Sequence, residues 1–275
     1  MRPIALPELA RTTFVVSIEV LPPRGHDVSG ILAAFANLPT GAAHFLNVAD
    51  SPMARPRMSP TILAGRMQQE LNIPAIVHLT VRDRNRVALE SEILGAQALS
   101  IRHHLAISGD PARFSDRGEV RSARDMEVPD LIRLCRTLGQ TVGAVLDTNP
   151  ANRHIELRKL EIKLQSGAEF VITQPLYDAQ QAESLARDMV PFGVPVLAGI
   201  LPLYSPRHAE YLHENVPGIG IPEAVRARMT SATEPIAEGV RIARDTLQAS
   251  KSRFQGACIM PPFGHYELVA EILAP

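Results

Sequence analysis

Tryptophan is missing from the chain, Phe and Tyr together make only 4% of it, and cysteine occurs twice in 275 residues. Cys135 and Cys258 lie far apart and fit no metal-ligand spacing, which excludes a disulfide framework or a zinc knuckle and makes a reducing cytoplasm the expected compartment. Excess charge of one sign is also lacking. With 28 Lys and Arg against 29 Asp and Glu, and no long block of either, nothing points to nucleic acid or to an anionic membrane. Long apolar runs are absent too: the longest, from Val194 to Leu203, is interrupted by Pro195, Gly199 and Pro202 and is far too short to span a bilayer. Pro7, Glu8 and Arg11 interrupt any secretory-signal core near the start.

What is present is a regular alternation. Short apolar runs recur between longer helical patterns, the signature of repeated βα units around a parallel sheet. Eight strands are expected: 14–19, 44–48, 75–79, 103–108, 141–145, 170–174, 196–200 and 256–260. Their unbroken apolar character suits strands buried on both faces. Seven helices are expected at 59–72, 84–98, 129–138, 156–166, 180–190, 207–215 and 234–250. In the fourth, Ile155, Leu157, Leu160, Ile162 and Leu164 read as the apolar stripe. This count and length predict an α/β protein with a single (β/α)8 barrel domain over residues 1–275, with an open doubly wound sheet as the alternative.

A barrel places its chemistry at the C-terminal ends of the strands, and polar residues collect there. Glu19 ends the first strand among Ile18, Val20 and Leu21, so desolvation would hold it protonated as a general acid; pairing with Arg24 is the alternative. Asp110 follows the fourth strand after Gly109, either beside a ligand that the glycine lets approach or as a turn residue before Pro111. His78 ends the third strand as a ligand contact or as a hydrogen-bonded structural residue. Gln174 ends the sixth, where an amide can read a heterocycle edge or cap the strand. Two features carry no such chemistry. Gly218-Ile-Gly-Ile lacks the third glycine of a dinucleotide loop and reads as a turn before a helix. His103 and His104 are adjacent, so on a strand they face opposite sides and share no metal.

Taken together in order, five blocks resemble the methylenetetrahydrofolate reductase family: Ser17 to Arg24, His78 to Asn85, Ser108-Gly-Asp-Pro111, Lys163 to Asp178, and Gly199-Ile-Leu-Pro202. The resemblance implies a flavin-dependent (β/α)8 barrel that reduces 5,10-methylenetetrahydrofolate to 5-methyltetrahydrofolate, or runs the reverse oxidation, within one-carbon metabolism and methionine biosynthesis. It implies FAD, with FMN as the alternative, and NADH or NADPH as hydride donor. On this likeness Glu19 is the acid that opens the imidazolidine ring, Asp110 contacts both pterin and flavin, and Gln174 reads the pterin. His78, Gly109, Asn149, Glu156 and Lys163 fall at cofactor-contact positions, Lys163 being suited to phosphates. The partners implied are the folate substrate and either a second copy of the chain or a methyl-transfer protein. The chain departs from the family pattern at Ala49, at Ser108, and in the Met260-Pro-Pro-Phe-Gly264 block after the last strand. A flavin-free folate-binding transferase, or a partner subunit of a methyltransferase system, is the competing expectation.

Overall fold

The computed structural model describes residues 4–118 and 120–274. Eight parallel strands, β1 (Val15–Val20), β2 (Phe45–Val48), β3 (Ala75–Thr80), β4 (His103–Ile107), β5 (Thr141–Leu146), β6 (Phe170–Leu176), β7 (Val196–Ile200) and β8 (Gly256–Ile259), pair in chain order and close when β8 pairs β1. All eight expected strands are found, with ends moved by one or two residues. The barrel is the expected fold, and the open sheet is excluded by the β1–β8 pairing.

Alternation along each strand divides the apolar residues between two cores. Val15, Phe45, Ile76, Leu105, Phe170, Ile172, Leu197 and Cys258 fill the barrel. Their neighbours, such as Ile18, Val77, Val142 and Val171, face the surrounding helices. Large and small residues fit across the interior: a side chain at Gly143 would meet the Phe170 ring at 2.3 Å. The N-terminal end of the barrel is plugged by α1 (Leu6–Leu9), whose Leu6 is fully buried and donates its N–H to His103 Nε2 at 3.1 Å. Burial holds the His103 pKa down at about 4, so the ring is the neutral acceptor this bond requires. His103 faces inward, and among the described residues no group of His, Cys, Asp and Glu is disposed to hold a metal.

The remaining helices are α2 (Ser29–Ala36), α3 (Pro60–Leu71), α4 (Arg86–Ala98), α5 (Val128–Thr137), α6 (Arg153–Gln165), α7 (Ala179–Met189), α8 (Pro206–Asn215), α9 (Glu223–Ser231), α10 (Pro235–Lys251) and α11 (Glu267–Leu273). Side-chain caps start several of them: Asn85, Asn152, Asp178 and Ser205 accept from N–H groups three residues on. Each cap fixes where the loop from the preceding strand ends, and so holds the rim of the C-terminal mouth.

One expected helix face is corrected. Ile155 and Ile162 of α6 lie seven residues apart on the outer side and are 52% and 42% exposed, whereas the inward face carries Glu156, Leu160 and Lys163. The five apolar residues never formed one stripe at helical spacing, and the buried carboxylate and amine displace part of it.

Candidate active site at the C-terminal mouth

Glu19 continues the inward series Val15, Ser17 on β1 and pairs in register with Asn47 of β2. It is half-buried and makes no ion pair or hydrogen bond among the described residues. Arg24, its sequence alternative, pairs instead with Asp116 at 2.7 Å. Desolvation raises the Glu19 pKa from 4.5 to about 7. A carboxyl in this position is poised to give up a proton near neutrality.

Beside it lies a short buried chain of polar groups. Asn47 donates to Cys258 Sγ at 3.2 Å and its Oδ1 lies 3.0 Å from His78 Nε2. Because the amide nitrogen serves Cys258, the oxygen is the acceptor for His78, which places the imidazole proton on Nε2. Burial pushes the His78 pKa down to about 4, so the ring stays neutral. Of its two expected roles, the hydrogen-bonded one is seen, and Nδ1 remains free of any bond among the described residues.

Asp110 is engaged in the loop that leaves β2. Its Oδ2 accepts the Met53 N–H at 2.6 Å, and Ser51, Met53 and Ala54 all have left-handed backbone, with φ of 43°, 57° and 53°. Such conformations are costly outside glycine and persist when neighbours hold them. Arg82 supplies the rest of that hold: only 5% exposed, it donates to Asp110 O at 3.0 Å and Ser51 O at 3.3 Å and is ion-paired with Asp83. Asp50 is likewise buried and accepts from Thr80 N and Oγ1, both at 3.0 Å, and from Arg84 at 2.6 Å. The sequence reading missed Arg82 and Asp50 as organisers. A run of two arginines and an aspartate at a strand exit was the available signal.

Gly109 has φ of 75°, and a side chain there would press on Thr80 and Arg82 at 3.1 Å. The glycine is required by that packing. Asn149 is exposed, takes Asp147 Oδ1 on its N–H at 2.8 Å, and lies so close to Gly220 that a side chain at 220 would meet it at 2.4 Å. The Gly218-Ile-Gly pair thus serves the packing of the β5 exit loop, and α9 starts directly after it, as expected. Lys163 donates to Val145 O at 2.7 Å and lies 3.9 Å from Glu156, whose carboxylate also accepts the Asp147 N–H at 3.3 Å. Burial lowers the Lys163 pKa. Gln174 sits at the bulge where β6 shifts register against β7, half-buried, with its side-chain amide unpaired among the described residues.

The structure therefore places Glu19 and His78 on the interior alternation of β1 and β3, with Gln174 at the bulge of β6 and Asp110 on the loop after β4. Asn149, Glu156 and Lys163 form a second group around the β5 exit. A cavity of about 620 Å³ lined by His26, Asp27, Ser29, Arg66 and Glu70 lies outside the barrel and contains none of them.

A closed parallel barrel with a carboxyl of raised pKa, unpaired among the described residues, and further polar groups at its C-terminal mouth defines a TIM-barrel protein with a candidate active site. The methylenetetrahydrofolate reductase family model matches residues 6–249, and the chain belongs to that family. Methylenetetrahydrofolate reductase 2 of Schizosaccharomyces pombe is 25% identical over 189 residues, covering 62% of this chain and 29% of that protein. The probable NADPH-dependent enzyme of Caenorhabditis elegans is 24% identical over 202 residues, covering 68% and 30%. The probable NADH-dependent enzyme of Oryza sativa is 24% identical over 251 residues, covering 82% and 40%. The matched region thus spans well under half the length of these relatives. Among solved structures, an uncharacterized Clostridium thermocellum protein that binds two copies of 5-methyl-5,6,7,8-tetrahydrofolic acid superimposes with a TM-score of 0.65 at 16% identity, over 96% of this chain and 94% of that one. A 2,3-dimethylmalate lyase reaches 0.53 at 12% identity over 94% of this chain and 80% of that one, a likeness of fold.

Proposed function

We propose that the chain reduces 5,10-methylenetetrahydrofolate to 5-methyltetrahydrofolate, with NADH or NADPH as the source of hydride and a flavin, FAD in the first instance, as carrier. The observation that carries this reading is Glu19: an inward carboxyl at the mouth, free of partners among the described residues, with its pKa raised to about 7. Ring opening of the substrate needs a proton on the nitrogen that leaves the bridging carbon. The protonated Glu19 supplies it, the carbon–nitrogen bond breaks, and the electron pair goes to that nitrogen. The cation left behind, an iminium, accepts hydride at the methylene carbon to become the methyl group.

Asp110 adds a negative charge near that cation. One of its oxygens is taken by Met53 N–H and the other is free among the described residues. Its role is electrostatic, and Arg82 and Met53 fix where the charge stands. Gln174, with a donor and an acceptor unpaired among the described residues, suits the edge of a pterin. His78, neutral and held by Asn47, offers an acceptor at Nδ1.

The residues around β3 to β5 suit an anionic, heteroaromatic cofactor in their donor set. Lys163 is a mostly buried cation held by Val145 O and a long ion pair with Glu156, and its Nζ stands at the β5 exit next to the mouth. Glu156 and Asn149 lie beside it, and Gly109 brings backbone to the surface at the β4 exit. A bound flavin would pass hydride between the nicotinamide and the folate.

Purified protein incubated with 5,10-methylenetetrahydrofolate and NADH or NADPH should form 5-methyltetrahydrofolate, detected by liquid chromatography, and should carry flavin released on denaturation. Protein that binds the folate but neither holds flavin nor oxidises the nicotinamide would instead be a flavin-free folate-binding protein.

A further inference from the structure

Three arginines gather on the rim of the mouth where β1 leaves the barrel. Arg24 lies on the segment that follows Glu19, and Arg55 and Arg57 lie in the loop after β2. Arg57 is half-buried and its Nη1 donates to Pro22 O at 2.7 Å, while the Met58 N–H donates to Pro23 O at 2.9 Å, so the two exit segments are held together. Arg24 is answered by Asp116 at 2.7 Å. The other two have no such partner. Among the described residues the side chain of Arg55 makes no hydrogen bond or ion pair, the only hydrogen-bond acceptor of Arg57 is a neutral carbonyl, and the Nε of each is buried and unpaired. Burial pulls the Arg57 pKa below its usual value, and the charges of Arg24 and Arg55 pull it further. Like charges gathered beside buried, unpaired donors cost stability, and an anion among them offsets that cost.

The cluster stands apart from the cation at β5. In a ring of eight strands β1 and β5 lie opposite one another, so Lys163 and these arginines are on different sides of the mouth, and a cofactor with its phosphates at Lys163 leaves the arginines to another ligand. We propose that Arg55 and Arg57, with Arg24 beside them, hold the 2′-phosphate of the hydride donor, so that the chain takes NADPH in preference to NADH. This rests on the reduction proposed above and names the donor left open there. Arg24 and Asp116 cancel, which leaves two guanidinium groups and two positive charges. A phosphate monoester brings about −1.5 to −2 of charge and three acceptor oxygens, enough to engage the Nη groups of both planar forks. A single carboxylate brings one charge and two oxygens, which Arg24 already receives from Asp116.

The test measures by calorimetry, at one fixed ionic strength, the binding of NADP+, NAD+ and 5-methyltetrahydrofolate to the purified protein, to Arg55→Gln and to the double variant Arg55→Gln with Arg57→Gln. The oxidised nucleotides pass no hydride, so binding is read alone. Because the Arg55 side chain makes no bond among the described residues, Arg55→Gln should keep the circular dichroism spectrum and melting temperature of the parent. The parent should bind NADP+ at least about 10-fold more tightly than NAD+; Arg55→Gln should weaken NADP+ about 3- to 10-fold with NAD+ unchanged within about 2-fold, and the double variant should bind the two alike. Equal affinity of the parent for both nucleotides, or equal losses on both in Arg55→Gln, would overturn the phosphate site while leaving the proposed reduction intact. A loss on 5-methyltetrahydrofolate with NADP+ unchanged would overturn it too, by giving the arginines to the carboxylates of the folate. A parent that binds neither nucleotide would overturn the nicotinamide-dependent reduction, and this inference with it.

Discussion

Replacing Glu19 by Gln removes the group whose ionisation the barrel mouth resists, and the effect on stability can be worked from its pKa. In the folded chain the pKa is about 7, against 4.5 for the ordinary group. A difference of that size corresponds to about 3 kcal/mol between the two protonation states, and water at the half-open mouth reduces it to about 1–2 kcal/mol. The sign follows from proton binding: between pH 4.5 and 7 the folded state holds the proton and the unfolded state does not, so the wild-type chain loses stability as pH rises through this window, and the loss is complete above it. Glutamine does not titrate. Urea unfolding of both proteins should therefore show Glu19→Gln more stable than wild type by about 1–2 kcal/mol at pH 8.5, the difference shrinking toward zero by pH 4.5. A difference that is the same at both pH values, or a variant less stable at pH 8.5, would refute the desolvation argument.

Arg82→Met should cost about 3 kcal/mol or more, because Ser51 O, Asp110 O and Asp83 all lose a donor around the strained loop, and a urea midpoint equal to wild type would contradict this. Gly239→Ala should destabilise by more than about 2 kcal/mol, since its side chain would stand 1.7 Å from Leu203 O; unchanged thermal unfolding would show that α10 moves freely there. Both cysteines are buried with thiol pKa values pushed to about 12, so a disulfide reagent at pH 8 should label them only after unfolding, and rapid labelling of the native chain would place a thiol at the surface. Asp110→Asn keeps an acceptor for Met53 N–H but removes the charge, so rapid-mixing measurements should show the folate step slowed well beyond any loss of cofactor; equal losses in both would make Asp110 a loop residue alone.

The barrel was legible because its strands are buried on both faces and so read as short unbroken apolar runs alternating with helical patterns. The inward direction of Glu19 followed from strand alternation once its neighbours were known to face the helices. What stayed hidden depends on partners distant in sequence. Gly220 is explained only by Asn149, Gly109 by Thr80 and Arg82, and the hold on the β2 exit loop by Arg82 reaching residues 28 and 31 positions away. The α6 face was misread because apolar residues alone were counted, whereas Glu156 and Lys163 are buried by pairing. The helices α1, α2, α9 and α11 are short and are not among the seven expected from the apolar pattern; of α9 only the turn before it and its start were read.

The most direct test of Glu19 as proton donor is the pH dependence of folate reduction in a single turnover, followed by rapid mixing with protein that has already accepted hydride from the nicotinamide. For wild type the rate should fall as pH rises through about 7, and Glu19→Gln should abolish folate reduction while oxidising the nicotinamide at nearly the wild-type rate. Folate reduction by Glu19→Gln at the wild-type rate, with the same dependence on pH, would contradict the account.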